Sequence, residues 1–408
     1  MRVIVNPDPC VPMVAISIWY DVGSRDELPG QTGWAHLFEH LMFQGSANVA
    51  SGEHLNTLQS VGGSANATTS FDRTNYFETV PVGALELALW MEADRLATLP
   101  DHLTEEGIAT QREVVKEERR QRYDNVPYGD AIEHLLELAF PEGHPYHHSV
   151  IGSMADVDSA TAAAAAAFFR EHYLPANAVI SLVGDVTPEQ GFELAERYFG
   201  GIPAADKPAR APSASLPPLA DVPQKNLRRP VPADAVQYVF RLPVRDTRDF
   251  DAVTAVLSIL GDGPSSRLER RLVRELEISA GVAGGVFDLI GGNSLGLVSA
   301  VALPGCPLSD LEERLDEVLV RFADEGPTEA ELYRTKVRME AEWLGALAQF
   351  ETRADDFSEY ATLFGDPEMV NRRLDQLLSM DADDLRRGAQ LLLPDHRGVL
   401  RYLKEDDG

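Results

Sequence analysis

The stretch His36-Leu37-Phe38-Glu39-His40 decides how this chain is read. On an α-helix, histidines at i and i+4 leave from one face, and a glutamate at i+3 lies on that face beside them. Two imidazole nitrogens can then take two corners of a tetrahedral metal ion, while the carboxylate reaches a water on the metal without being a ligand. Zinc hydrolysis asks for this arrangement: three protein ligands, an open position and a general base. With only 10 histidines in 408 residues, a chance match to such a pattern is expected at roughly a few hundredths per chain.

The surrounding sequence supplies the scaffold. Val14 to Tyr20 reads as a strand, followed by a Gly/Asp-containing loop and the helix carrying the two histidines. The N-terminal Met1 to Pro7 reads as a short strand, and Ser64 to Val80 as a strand pair. Helical patterning covers Val82 to about Leu96, Thr104 to Arg122 and Ala160 to Arg170, with a strand from Asn177 to Val183. Thr187-Pro188-Glu189-Gln190 opens a further helix with an N-cap, proline at N1 and a capping box. Ile202 to Gln224, rich in Pro and Ala, has the composition of an interdomain linker. The pattern then restarts with a strand near Gln237 to Leu242, helices, two strands around Val282 to Leu303, and a capping box at Thr328-Glu329-Ala330-Glu331. Leu393-Pro394 before a strand from Val399 echoes Leu174-Pro175 before the strand near Val179. The expected fold is therefore α+β, in two similar domains, each an antiparallel-rich sheet with helices on one face: 1–201, a linker over 202–224, and 225–408, with the metal site in the first alone.

Bulk composition narrows the function. A chain of 408 residues exceeds one compact core. No apolar run approaches the roughly 20 residues needed to span a bilayer, and the N-terminus lacks a signal-peptide h-region, so no membrane is expected and a cytoplasmic location is. Cys10 and Cys306 fit a reducing compartment and cannot form a cysteine zinc site. A formal net charge of −29 argues against nucleic acid, whose phosphates would be repelled.

Two histidines and a water leave one corner of the metal for a third ligand. The helical segment Gln111 to Gln121 offers Glu113, Glu117 and Glu118; the last two point about 100° apart, so only one of them can face the site. Spacing alone leaves that choice open. The order His-x-x-Glu-His is that of the inverzincins. Together with Trp19-Tyr20-Asp21-Val22-Gly23-Ser24-Arg25-Asp26-Glu27, Gly62-Gly63-Ser64-Ala65-Asn66-Ala67 and Val114 to Gln121, it makes nearly the whole chain resemble the M16 family of zinc peptidases, in its half-length type with a single motif.

That resemblance implies a zinc endopeptidase of peptides or small unfolded proteins, with Zn²⁺ held by His36, His40 and Glu118, and Glu117 as the fallback. It implies that Glu39 activates the zinc-held water, and that Gly62 to Thr69 takes an extended peptide by strand addition, with Asn66 and Ala67 against its backbone. The family's supporting acid one to two turns upstream is replaced here by Gln111. It also implies a second chain, because full-length members carry four domains. At the place of the tyrosine expected from the second half stands Ala280, which favours a heterodimer with a related M16 chain supplying an arginine and a tyrosine over a homodimer. The rival reading is a non-catalytic scaffold or peptide-binding subunit. Elsewhere, Glu142 to His148 reads as a loop whose histidines are structural, His54, His102, His134 and His172 have no partner at ligand spacing, and Gly261 to Leu268 reads as a glycine-rich turn before a helix.

Overall fold

Ten strands build two five-stranded sheets of identical order. The computed structural model describes residues 1–210 and 213–405. In the first sheet β1 (Arg2–Pro7), β2 (Met13–Tyr20), β3 (Ser64–Thr69), β4 (Thr74–Pro81) and β5 (Ala178–Gly184) run in the order β1-β5-β2-β4-β3. The second takes β6 (Gln224–Arg229), β7 (Ala235–Leu242), β8 (Ser279–Phe287), β9 (Ser294–Ala302) and β10 (Arg397–Lys404) in the order β6-β10-β7-β9-β8. In each, only the outermost pair, β1–β5 or β6–β10, is parallel. The Leu-Pro echo marks equivalent corners: a single helical turn at Pro175–Asn177 feeds β5, and one at Pro394–His396 feeds β10. Strand β6, hidden at the end of the Pro/Ala-rich stretch, was not legible.

The chain divides into two compact units that interleave along the sequence. The first comprises Met1–Glu118, Ser149–Ala211 and Glu342–Arg373, and the second Arg119–His148, Pro212–Ala341 and Leu374–Gly408. Segment 119–148, expected with the first domain, groups with the second unit; segment 342–373, expected with the second, groups with the first. The described residues of the expected linker carry no helix or strand before Gln224, where β6 begins. Its early part is fastened rather than loose, since Lys207 and Arg210 pair with Asp21 at 2.5 and 2.6 Å, and Arg210 also reaches Asp26.

The interleaving has a physical reason. In β2, Val14, Ile16 and Ile18 on one face and Ala15, Ser17 and Trp19 on the other are all buried, so both faces of this sheet need cover. The first face receives helices from the same stretch of chain. The second receives the helix Phe350–Glu359, where Ala354 packs on Ala15 and Asp355 accepts hydrogen bonds from Trp19 Nε1 (2.6 Å), Asn75 Nδ2 (2.7 Å) and Ser17 Oγ (3.2 Å). In the second unit, Val236, Tyr238, Phe240 and Leu242 of β7 join the core beneath helices Arg248–Gly261, Leu308–Glu325 and Ala382–Ala389. Its other face takes the helix Ala131–Ala139, whose Ala139 carbonyl accepts from Arg241 Nε at 2.6 Å. At Gly261 a Cβ would sit 2.3 Å from the backbone of Gly284 in β8, which is why helix and strand meet there through glycines. Among the described residues no helix is long and apolar enough to cross a membrane.

Candidate metal centre

The His36 motif lies on α1 (Trp34–Leu41), as its spacing predicts. Trp34, Ala35, Leu37, Phe38 and Leu41 are buried, and Phe38 stacks on Phe168 at 4.7 Å. Five anchors in eight residues fix the rotation of the helix and hence the aim of its histidines. Gly33 enters α1 at φ 91°, where any Cβ would stand 2.5 Å from the Ile151 carbonyl, so the turn requires glycine. The first turn's orphan N–H groups are capped by Glu27, which accepts from Gly33 N (2.9 Å) and Ala35 N (2.7 Å). Burial pushes the Glu27 carboxyl well above its usual range, and these two donors oppose the shift.

The third element is α4 (Glu105–Arg119). Ile108 and Val115 are its buried side chains, and Glu118, three residues after Val115, turns the same way, while Glu117 is exposed. Glu118 Oε2 stands 3.5 Å from His36 Nε2 and 3.4 Å from His40 Nε2. The alternative that spacing left open is thereby resolved in geometry: His36, His40 and Glu118 form the converging group, their donor atoms all within 4.8 Å of one another. Zinc bonds of about 2.1 Å in a tetrahedron place neighbouring donors about 3.4 Å apart, so this set of two imidazoles and a carboxylate fits zinc.

Glu39 sits on the same helix, and its Oε2 accepts from Thr69 Oγ1 at 2.6 Å. Burial raises its carboxyl, against the Thr69 hydrogen bond and the His40 charge; the Glu118 charge adds to the rise. A carboxylate so shifted is better matched to proton transfer near neutral pH. Thr69 ends β3, the edge strand of the first sheet. Within β3, Asn66 is exposed and Ala67 buried, and the Ala67 N–H donates to Asn66 Oδ1 at 2.9 Å.

Sequence reasoning missed a second cluster of metal-ligand type. His54 on α2 (Glu53–Ser60) is not isolated: its Nε2 lies 2.8 Å from Glu78 of β4 and 3.4 Å from Glu92 of α3 (Leu85–Thr98). No one-dimensional spacing reveals it, because its members come from three elements. Arg95 grips Glu92 and lies over the ring of Tyr76 at 4.5 Å, and all four groups are buried. Burial and the Glu92 charge push Glu78 up to about 8, while Arg95, with His54, overcomes burial to hold Glu92 down at about 2. Burial and the Arg95 charge oppose the charged form of His54, yet Glu78 and Glu92 raise its pKa, and Arg95 pairs with Glu92. Because these groups satisfy one another, we read the cluster as a brace between α2, α3 and β4 rather than an ion site.

The remaining candidates separate cleanly. His144 stacks on Phe140 at 4.5 Å and His147 Nδ1 bonds the Phe140 carbonyl, so this loop is held by its histidines. Both metal-competent groups among the described residues belong to the first unit. Ala280 is exposed, at a bulge where β8 slips register between Ser279 and Gly281.

Comparisons with known proteins match both parts of the chain. The pattern described as Insulinase (Peptidase family M16) matches residues 2–152, and that described as Peptidase M16 inactive domain matches residues 159–339. A Helicobacter pylori protein named zinc protease PqqE is 29% identical over 394 residues, covering 96% of this chain and 88% of its own. The crystal structure of a protease from Helicobacter pylori superimposes with a TM-score of 0.90 at 28% identity, over 98% of this chain and 96% of that one. A Pseudomonas fluorescens structure described as a peptidase M16 inactive domain shares the fold, with a TM-score of 0.87 at 17% identity over 99% and 96% of the two chains.

Two outcomes test this geometry. Changing an outer partner of a metal ligand costs about 10–100-fold in affinity. Glu118→Gln should therefore weaken zinc binding by more than about a hundredfold in a chelator competition, and Glu117→Gln by less than about threefold; equal effects would remove Glu118 from the site. For the brace, a Glu78 pKa near 8 against an ordinary 4.5 means the folded chain keeps a proton that the unfolded chain has lost. The corresponding stability is complete at low pH and lost as pH rises toward about 8, at up to about 1.4 kcal/mol per pH unit. Thermal unfolding of wild type should fall faster than that of Glu78→Gln between pH 6 and 8, and parallel curves would contradict it.

Proposed function

The chain belongs to peptidase family M16, and on that premise we propose that it is a zinc-dependent endopeptidase that cuts peptides or small unfolded proteins, leader-like segments among them. The observation that carries this reading is the approach of Glu118 to both imidazoles with Glu39 beside them on α1. His36, His40 and Glu118 would hold the ion. Bound zinc supplies Lewis-acid activation of water and of the scissile carbonyl.

The rest of the chemistry falls to the chain's own groups. An extended peptide adds to the free edge of β3, where the Ala67 N–H exchanges its bond from Asn66 Oδ1 to a substrate carbonyl. Main-chain pairing of this kind asks little of sequence, which suits a peptidase of unfolded segments. Glu39 accepts a proton from the attacking water, keeps it on its half-buried carboxyl, and passes it to the nitrogen of the leaving amine. The exposed Ala280 has no hydroxyl to offer a developing oxyanion, so we assign that contact to an arginine and a tyrosine of a related M16 chain in a heterodimer. Cys10 and Cys306 are unpaired, in keeping with a cytoplasmic setting.

Glu39→Gln should lower kcat by about 10²–10⁴-fold, as loss of a general acid–base does, while zinc content by mass spectrometry stays at one per chain. Turnover near wild type with zinc retained would sink the assignment. A scaffold subunit would instead show no cleavage of a peptide library with or without Glu39. For the partner, the chain co-expressed with a related M16 chain should cleave that library faster than the chain alone; equal rates would overturn the heterodimer.

A further inference from the structure

We infer that Thr69 is a positioning residue that registers the base Glu39 against the strand on which the peptide lies, an inference resting on the endopeptidase reading above. Three observations carry it. The Thr69 hydroxyl donates to Glu39 Oε2 at 2.6 Å, which occupies one carboxylate oxygen and leaves the other to take a proton. Thr69 lies two residues beyond Ala67 in β3, so both side chains leave the same face of the edge strand. The end of that strand is pinned: Thr69 pairs with Thr74, whose own hydroxyl donates to the Val22 carbonyl at 2.9 Å, and Ser70 N closes onto the Arg73 carbonyl at 2.9 Å.

These contacts make one rigid path from the docking edge to the reacting group. A β-branched side chain on a strand has few χ1 states, so the threonine hydroxyl is aimed by the backbone itself. A glutamate has three side-chain torsions and no such restriction; its carboxylate needs an outside donor to stay in one place. Because the donor sits on the strand that fixes peptide register, a peptide paired along β3 finds the base at a fixed offset from its own backbone. Tight placement of the base is a matter of turnover rather than of binding, since misplacing a catalytic group by about 1 Å costs on the order of a hundredfold in rate.

The test uses the full chain, with its partner chain if that is needed for turnover, and an internally quenched peptide that the wild type cleaves. Thr69→Val, which keeps the shape and removes the donor, should lower kcat by about 10–100-fold with KM and zinc content within about twofold. Thr69→Ser should restore kcat to within about threefold. In the metal-free chain, where turnover plays no part, the infrared carboxylate band lost between wild type and Glu39→Gln should shift in Thr69→Val and return in Thr69→Ser. A Thr69→Val variant with wild-type kcat and an unmoved band overturns the inference. So does a rise in KM alone, which would assign Thr69 to the strand and not to the base. A wild-type chain that cleaves no peptide, with or without its partner, overturns the endopeptidase reading instead, so the two failures are distinct.

Discussion

The approach of one carboxylate to two imidazoles is what the first unit is organised around. Three lone-pair donors do not gather unaided: without an ion their negative ends repel or their protons compete, and each would sooner face water. They are held together because α1 is clamped by five buried side chains and a capped first turn, and because Ile108 and Val115 fix the rotation of α4. Glu118 then follows from Val115 by one helical turn. Rotation by a single residue would put Glu117 inside and scatter the group.

Much of this was legible in the sequence, and what was not has a physical reason. The pair His36–His40 is local, so helical periodicity alone places it. Glu118 is remote, and helix geometry reduces it to a choice of neighbours that resemblance to M16 peptidases narrows; the burial of Val115 gives the same answer in space. The His54–Glu78–Glu92–Arg95 brace was not legible, because its parts lie on a helix, a strand and another helix with no fixed spacing. The pairing of two similar halves was readable as an echo in the Leu-Pro corners, whereas the strand order and the cover of the second face of each sheet were not. Hydrophobic periodicity says that a helix has an apolar side, never which sheet that side covers.

Edge position suits β3 to the strand addition proposed above. A strand in mid-sheet has no main-chain groups to spare, and an exposed edge invites unwanted pairing unless something occupies it. Here the Asn66 side chain engages the Ala67 N–H from within the same strand. The bond is local and neutral, which makes it easy to exchange for a peptide carbonyl. Polar side chains therefore protect the edge without closing it.

The exchange of the helices Phe350–Glu359 and Ala131–Ala139 sets a timetable for synthesis. When β5 leaves the ribosome the first sheet has all its strands, yet Ala15, Ser17 and Trp19 still lack the helix that covers them. At about 5–20 residues per second, that face stays bare for roughly ten to thirty seconds. During that wait the nascent chain carries an uncovered sheet face, and a chain released at the linker never covers it. The two halves look separable on paper, but the protein can only be finished as a whole.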